Sequence, residues 1–377
     1  MSFCYQPWNG LEISNDGTLR PCCKYTPQED PLFEQINIKD QNSIELFQNS
    51  KYIKNLQNSF LQGEKPNACV RCWKDEDAGY ESHRQLHNTR WKEEFDRYDF
   101  DSQKINLINI PIGNLCNLKC RICSPESSSK WISEWKSIYS ETFEKNDWAN
   151  NPSVWKDLIK HSKNLLEIHI HGGEPFLLED EIHTQYLESL IQNGVANKVR
   201  VHYNTNCTTQ PSQTLQTLWK KFKHIDIQPS IDDIGKRFEY NRKGANWNLV
   251  EENLQNYKAM VSENLQLSIS CTVSIFTIAY LDEIFEYYLK NNLPKPWLGR
   301  LHSPNHYQCS VLPLASKIKM QQKYQNSKIK DIRSVSKWLD EDNSHLIEKF
   351  WQVTRLHDHY RNEKIQQVFP ELVDLLG

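Results

Sequence analysis

The sequence predicts an α/β fold: an open, partial (β/α)6 TIM-like barrel with a small cysteine-rich N-terminal module and a helical C-terminal appendage. Three observations carry this expectation. From Lys104 onward, short apolar runs alternate with stretches of helical periodicity, the pattern of a parallel sheet with crossover helices. Before residue 95 the strand signals are short, turns such as Asn15-Asp16-Gly17 are marked, and five of the 11 cysteines gather. Beyond Leu314 the chain turns polar, rich in Gln and Lys and helical in character. The domains drawn on this basis are 1–95, 104–314 and 315–377.

Six runs define the barrel strands: 105–112, 165–170, 199–203, 224–228, 265–273 and, as the weakest, 297–312. Between the second and third, segment 181–193 places Ile182, Tyr186, Leu190 and Ile191 on one helical face, and Gly194 supplies a C-cap. Between the fourth and fifth, Trp247, Val250, Leu254, Tyr257 and Val261 recur at helical spacing. Six such units fall short of a closed eight-stranded barrel, so an open barrel with ligands at the carboxyl ends of its strands is expected.

Composition narrows the function classes. A chain of 377 residues can bury a core of two domains without disulfide staples. Its net charge of -3, from 45 Lys+Arg against 48 Asp+Glu, gives no global basic field and argues against a nucleic-acid partner. No apolar run approaches the roughly 18 residues of a membrane span, so no membrane partner is expected. The opening residues, Met1-Ser2-Phe3-Cys4-Tyr5-Gln6, have neither a basic start nor an apolar signal core, and a cytoplasmic location is expected. In that reducing compartment, clustered cysteines point to metal or redox chemistry.

The first sheet strand runs into Gly113-Asn114-Leu115-Cys116-Asn117-Leu118-Lys119-Cys120-Arg121-Ile122-Cys123, a C-x3-C-x2-C spacing. Thiolates are soft ligands for zinc or iron-sulfur clusters, and three in one loop can hold three corners of a cubane. One iron would then keep an open position, the mark of a reactive centre. The loop alone also admits a structural zinc site completed by His171 or Cys207.

This loop after the first strand resembles the hallmark of the radical S-adenosylmethionine enzymes. The resemblance implies a 4Fe-4S cluster on Cys116, Cys120 and Cys123, with S-adenosylmethionine on the fourth iron, in a partial barrel. His171-Gly172-Gly173-Glu174-Pro175, directly after the second strand, resembles the family's Gly-Gly-Glu-Pro motif, which implies cofactor binding by Gly172, Gly173, Glu174 and Pro175, with the carboxylate on the amino group. Tyr203-Asn204-Thr205-Asn206 and Pro229-Ser230-Ile231-Asp232 resemble segments that line the cofactor, implicating Thr205, Asn206, Ser230 and Asp232, with the serine near the ribose. Arg242 resembles an arginine that pairs with the cofactor carboxylate. The resemblance covers roughly 105–312, and Ile122 stands where an aromatic is common.

The N-terminal cysteines follow the order Cys4-x12-Gly17-x4-Cys22, with Cys69-Val70-Arg71-Cys72 as a C-x2-C pair. Four thiolates from two segments make a closed site for zinc or an iron-sulfur cluster. The context from Cys4-Tyr5-Gln6-Pro7-Trp8 to Pro21-Cys22-Cys23 resembles the SPASM/twitch modules of radical enzymes. The shortened cysteine set then implies one auxiliary 4Fe-4S cluster on Cys4, Cys22, Cys69 and Cys72, two clusters in all, and Cys23 can substitute for Cys22. Such modules usually follow the barrel; here the module precedes it.

The expected function is therefore an oxidoreductase-type enzyme. It would reductively cleave S-adenosylmethionine to a 5'-deoxyadenosyl radical, abstract hydrogen from a peptide or small polar substrate, and lead to oxidation or bond formation with help from the auxiliary cluster. An external electron donor such as flavodoxin or ferredoxin is implied. The competing class is a non-enzymatic interaction protein with two cysteine-based zinc sites, whose 12 Trp and 16 Tyr would serve as contact groups.

Overall fold

The computed structural model describes residues 2–77, 79–96, 104–146, 148–177 and 180–377; the side chains of 180–182, Ile182 among them, lie outside the described residues. In chain order the strands are β1 (Gly10–Ile13), β2 (Leu19–Arg20), β3 (Leu107–Pro111), β4 (Lys119–Cys120), β5 (Glu167–His171) and β6 (Arg200–Thr205). They continue as β7 (His224–Pro229), β8 (Arg242–Lys243), β9 (Leu265–Leu267), β10 (Ser270–Val273) and β11 (Trp297–Arg300). The core is mixed α/β, with a helical C-terminal region. Among the described residues, no helix is long and apolar enough to cross a membrane.

The chain divides into two compact units. The first comprises Met1–Leu115, Lys145–Tyr203 and Pro211–Ile225; the second comprises Cys116–Glu144, Asn204–Gln210 and Asp226–Gly377.

In the first unit the strand order is β2-β1-β3-β5-β6. β2 runs antiparallel to β1, while β1, β3, β5 and β6 run parallel. The period of two explains the layering. Leu11, Ile108, Ile168 and Val201, paired in register, all point to one buried face, as do Ile110, Ile170 and Tyr203. Helix Pro152–His161 buries Val154, Trp155 and Leu158, starts on an Asn151 cap and has proline in its first turn, where a missing N–H costs nothing. Trp155 meets Tyr186 of helix Asp180–Gln192 with ring centroids 5.3 Å apart. Gly194 ends that helix at φ +67, as its sequence position predicts.

One feature of this unit departs from expectation. The cysteine-rich segment does not stand apart from the α/β sheet, because β1 lies directly beside β3, with Gly10 opposite Leu107 and Glu12 opposite Asn109. A four-residue strand is too short to register as a period-two run, so its place in the sheet was hidden.

In the second unit β9 neighbours β7, β10 pairs in parallel with β11, and β4 pairs antiparallel with β8. The expected strand over 265–273 is two strands broken at Ser268 and Ile269. The expected strand over 297–312 reaches only Arg300 and gives way to the 3-10 turns Asn305–Tyr307 and Cys309–Val311. Helix Trp247–Ala259 buries Trp247, Val250, Leu254 and Tyr257, but it stops before Val261, which is 52% exposed. The C-terminal region comprises helices Leu314–Gln325, Lys330–Val335, Ile347–Arg361, Ile365–Val368 and Pro370–Leu376.

Candidate functional site

Cys4, Cys22, Cys69 and Cys72 line one pocket of the first unit, together with Gln6, Lys24, Tyr25, Phe60, His83 and Arg84. Local structure brings them there. Cys4 lies just before Tyr5, the N-cap of the short helix Gln6–Asn9, Cys22 follows β2, and Cys69 ends the 3-10 turn that leads into helix Val70–Asp77, on which Cys72 sits one turn later. Gly17 turns the chain between β1 and β2 at φ +87, where the side-chain amide of Asn37 would meet any Cβ. Cys23 is exposed, and its sulfur lies 3.6 Å from Nε2 of His83.

Burial pushes the Cys4 thiol up to about 12; burial with repulsion from the neighbouring cysteines raises Cys22 and Cys69, and burial with the charges of Asp75 and Glu76 raises Cys72. Left to themselves these thiols stay protonated; a bound metal centre is what makes such groups thiolates. Among the described residues, no three His, Cys, Asp or Glu side chains close to the spacing of one metal ion's ligands. Arg84 supports the pocket wall: it pairs with Glu76 at 2.8 Å and lies over the Trp73 ring, 5.1 Å from its centroid.

The three-cysteine loop belongs to the second unit. The β4–β8 ladder sets Cys120 opposite Arg242, and the Cys123 N–H donates to the Cys120 carbonyl at 3.0 Å, closing the loop on itself. The sulfurs have polar neighbours. Asn206 Nδ2 stands 3.8 Å from Cys116 Sγ and 2.9 Å from Asn117 Oδ1, and Asn117 in turn donates to Thr208 at 2.8 Å. Arg242 Nη1 is 3.9 Å from Cys120 Sγ. Burial raises Cys120 and lifts Cys123 to about 11, with Arg242 acting in the opposite sense on both.

Arg242 is held by a carboxylate of the chain itself. Its Nη2 and Nε lie 2.7 and 2.9 Å from Asp232 Oδ2, and Asp232 also accepts the Thr272 N–H at 2.9 Å. Thr205 accepts the Ser230 N–H on its carbonyl at 2.8 Å and the Cys207 N–H on its hydroxyl at 3.1 Å, so Thr205, Ser230, Asp232 and Arg242 are tied into the same unit as the loop.

The motif Gly172-Gly173-Glu174-Pro175 lies in the first unit. Both glycines have positive φ, +79 and +49, and a Cβ on Gly173 would fall 2.0 Å from the Leu115 carbonyl oxygen, so only glycine fits. The Glu174 N–H donates to that same carbonyl at 2.8 Å. Its carboxylate is buried and accepts the Phe176 N–H at 3.3 Å, and Pro175 opens a short 3-10 turn.

The C-terminal region, which carries no motif in sequence, reaches the three-cysteine loop. Arg121, between Cys120 and Cys123, has a fully buried side chain paired with Asp358 at 2.6 Å and Glu363 at 2.7 Å. Its guanidinium stacks 3.6 Å from the Tyr240 ring centroid, and the Tyr240 hydroxyl donates to Asp358 at 2.7 Å. Glu134 pairs with Lys119 and, at 2.7 Å, with Arg361, while Lys243 meets Glu363 at 2.8 Å. Sequence reading missed these residues because no local spacing links Arg121 to positions 237 and 242 residues away.

Residues 4–73 match the SPASM family model, an iron-sulfur cluster-binding domain, over the stretch that contains Cys4, Cys22, Cys69 and Cys72. Among solved structures, the chain is similar to native anSMEcpe with bound AdoMet, at 17% identity and a TM-score of 0.43, covering 69% of this chain and 62% of that one. It is also similar to Streptococcus suis SuiB bound to S-adenosylmethionine, at 14% identity and a TM-score of 0.38, covering 79% of this chain and 63% of that one. The chain thus spans less than two thirds of the length of these structures. A search of curated proteins gives no match.

Proposed function

We propose that the chain is a radical S-adenosylmethionine enzyme with an auxiliary iron-sulfur cluster, built on an open partial barrel. The observation that carries this reading is the three-thiol loop with Asn206 and Arg242 close to two of its sulfurs. The SPASM match over residues 4–73 supports a second centre and favours iron-sulfur over zinc there. The donor sets fit both groups: three thiols leave one iron of a cubane for a cofactor, and four line the other pocket. When bound, the cluster and S-adenosylmethionine supply reductive cleavage to a 5'-deoxyadenosyl radical that takes hydrogen from a peptide or small polar substrate, with oxidation or bond formation as the outcome.

The chain's own residues have definite tasks in this proposal. Arg242, kept charged by Asp232, sets a cation beside Cys120 and favours its thiolate, while Asn206 offers an N–H toward Cys116. Because Asp232 already engages Arg242, the guanidinium would meet a cofactor carboxylate with Nη1 rather than with its whole fork. Gly172, Gly173 and Pro175 shape a turn that presents Glu174 for an ammonium group, and Thr205 and Ser230 offer hydroxyls to the cofactor's nucleoside. The electron donor would be a flavodoxin or ferredoxin in the cytoplasm.

Anaerobic reconstitution tests the proposal. About eight irons per chain and release of 5'-deoxyadenosine on reduction are expected. A colourless, zinc-loaded protein without cleavage would transfer the reading to the interaction-protein class. The auxiliary ligand set has its own check: Cys22→Ala should lose about half the iron, whereas Cys23→Ala should keep it, because only Cys22 lines the pocket. Equal iron loss in both variants would reject Cys22 as the ligand of choice.

A further inference from the structure

The pocket of the four N-terminal cysteines also gathers positive charge. Two lysine or arginine side chains line it, Lys24 and Arg84. They differ in what already holds them. Arg84 is buried, its Nε and Nη2 donate to the two carboxylate oxygens of Glu76 at 2.9 and 2.8 Å, and its Nη1 donates to the Phe3 carbonyl at 2.6 Å. Its guanidinium is committed to the wall, and a carboxylate in contact offsets its field. Lys24, by contrast, pairs with no carboxylate among the described residues.

Local structure puts Lys24 there. The Tyr25 N–H donates to the Cys22 carbonyl at 3.2 Å, closing a turn just after β2 that leaves Cys23 exposed and Lys24 half-buried against the pocket. The charge of Lys24 is felt at Cys72, where it favours the thiolate while Asp75 and Glu76 oppose it. A half-buried ammonium without a carboxylate has no counter-charge in the pocket until the four thiols bind their metal as thiolates.

A cubane on four thiolates is an anion, and one-electron reduction adds a further negative charge. A nearby cation stabilises the reduced form more than the oxidised one, because attraction scales with the product of the charges and is screened least away from bulk water. We propose that Lys24 raises the reduction potential of the auxiliary centre on Cys4, Cys22, Cys69 and Cys72 and so biases that centre toward accepting an electron. The inference rests on the auxiliary-cluster reading above and gives the oxidative outcome a residue of this chain. Arg84, neutralised by Glu76, holds the wall; Lys24 is a positioning charge that acts through the centre and touches no substrate.

Redox titration followed by electron paramagnetic resonance tests the role. The full chain, carrying Cys116→Ala, Cys120→Ala and Cys123→Ala so that the pocket's centre is observed alone, is reconstituted anaerobically with and without a change at Lys24. Lys24→Met, which keeps the length and removes the charge, should lower the ratio of reduced to oxidised centre at least tenfold at a fixed potential, a midpoint shift of about 59 mV for one electron. Lys24→Arg should hold the parent midpoint. Both variants should keep the parent's iron content and unfolding temperature, since Lys24 holds no carboxylate whose loss would matter. An unmoved or raised midpoint in Lys24→Met, an equal fall in Lys24→Arg, or iron loss in Lys24→Met would overturn the proposal. The two readings fail differently: an iron-loaded pocket whose midpoint ignores Lys24 sinks the charge role alone, whereas a pocket that takes up zinc or no metal sinks the auxiliary cluster and this role with it.

Discussion

Replacing Cys116, Cys120 and Cys123 together by alanine should abolish cleavage of S-adenosylmethionine while leaving about half the reconstituted iron, because each cubane holds a like share. Half retention follows from the separation of the two donor sets in the chain. The loop cysteines sit in one compact unit and the pocket cysteines in the other. The variant should also stay folded. Cys116 and Cys123 are partly exposed, and the loop's structural ties run through backbone hydrogen bonds and the Arg121 ion pairs, which the substitution leaves in place. Complete iron loss would mean that the pocket set holds no cluster of its own. Retained cleavage would remove the loop from the chemistry, and metal analysis with 5'-deoxyadenosine quantification reads both outcomes.

How much of this was legible in sequence depends on how local each signal is. The strands around Ile108, Ile168 and Val201 were readable because their aliphatic residues alternate at the strand period, and the three-cysteine loop was readable because its ligands lie within eight residues. Gly173 was a motif residue whose need for glycine became physical only when the Leu115 carbonyl appeared 2.0 Å from its missing Cβ. Strand β1 escaped notice because its apolar pair, Leu11 and Ile13, is too short a run to carry a period. The break at Ser268 was equally silent: the apolar-polar alternation from Leu265 to Val273 reads as one strand, yet the Ser268 N–H turns to the Ile227 carbonyl at 3.0 Å.

The ion pairs of Arg121 were beyond any local reading, and they carry the second large expected effect. Arg121→Met should destabilise the protein by about 3–5 kcal/mol, the usual cost of breaking a buried charge pair by removing one partner. The magnitude rests on geometry. The guanidinium is fully buried, two carboxylates lie within 2.7 Å, and an aromatic face stacks at 3.6 Å. Methionine restores much of the volume, so the loss reads the charges rather than a cavity. Arg121→Lys should recover little, since an ammonium cannot lie flat on the Tyr240 ring or supply the second nitrogen that donates to the Tyr240 carbonyl. Tyr240→Phe removes only the 2.7 Å hydroxyl contact to Asp358 and should cost about 1 kcal/mol. Denaturant unfolding of the second unit reads all three variants, and a loss below about 1 kcal/mol for Arg121→Met would show that the pairs contribute no more than surface salt bridges do. The ordering matters for the site because Arg121 lies between two of the loop cysteines. If both proposed clusters are present, a chain that unfolds here first should release the iron of the three-cysteine loop before that of the pocket, and Asp358 of helix Ile347–Arg361 with Glu363 would then brace the loop through Arg121.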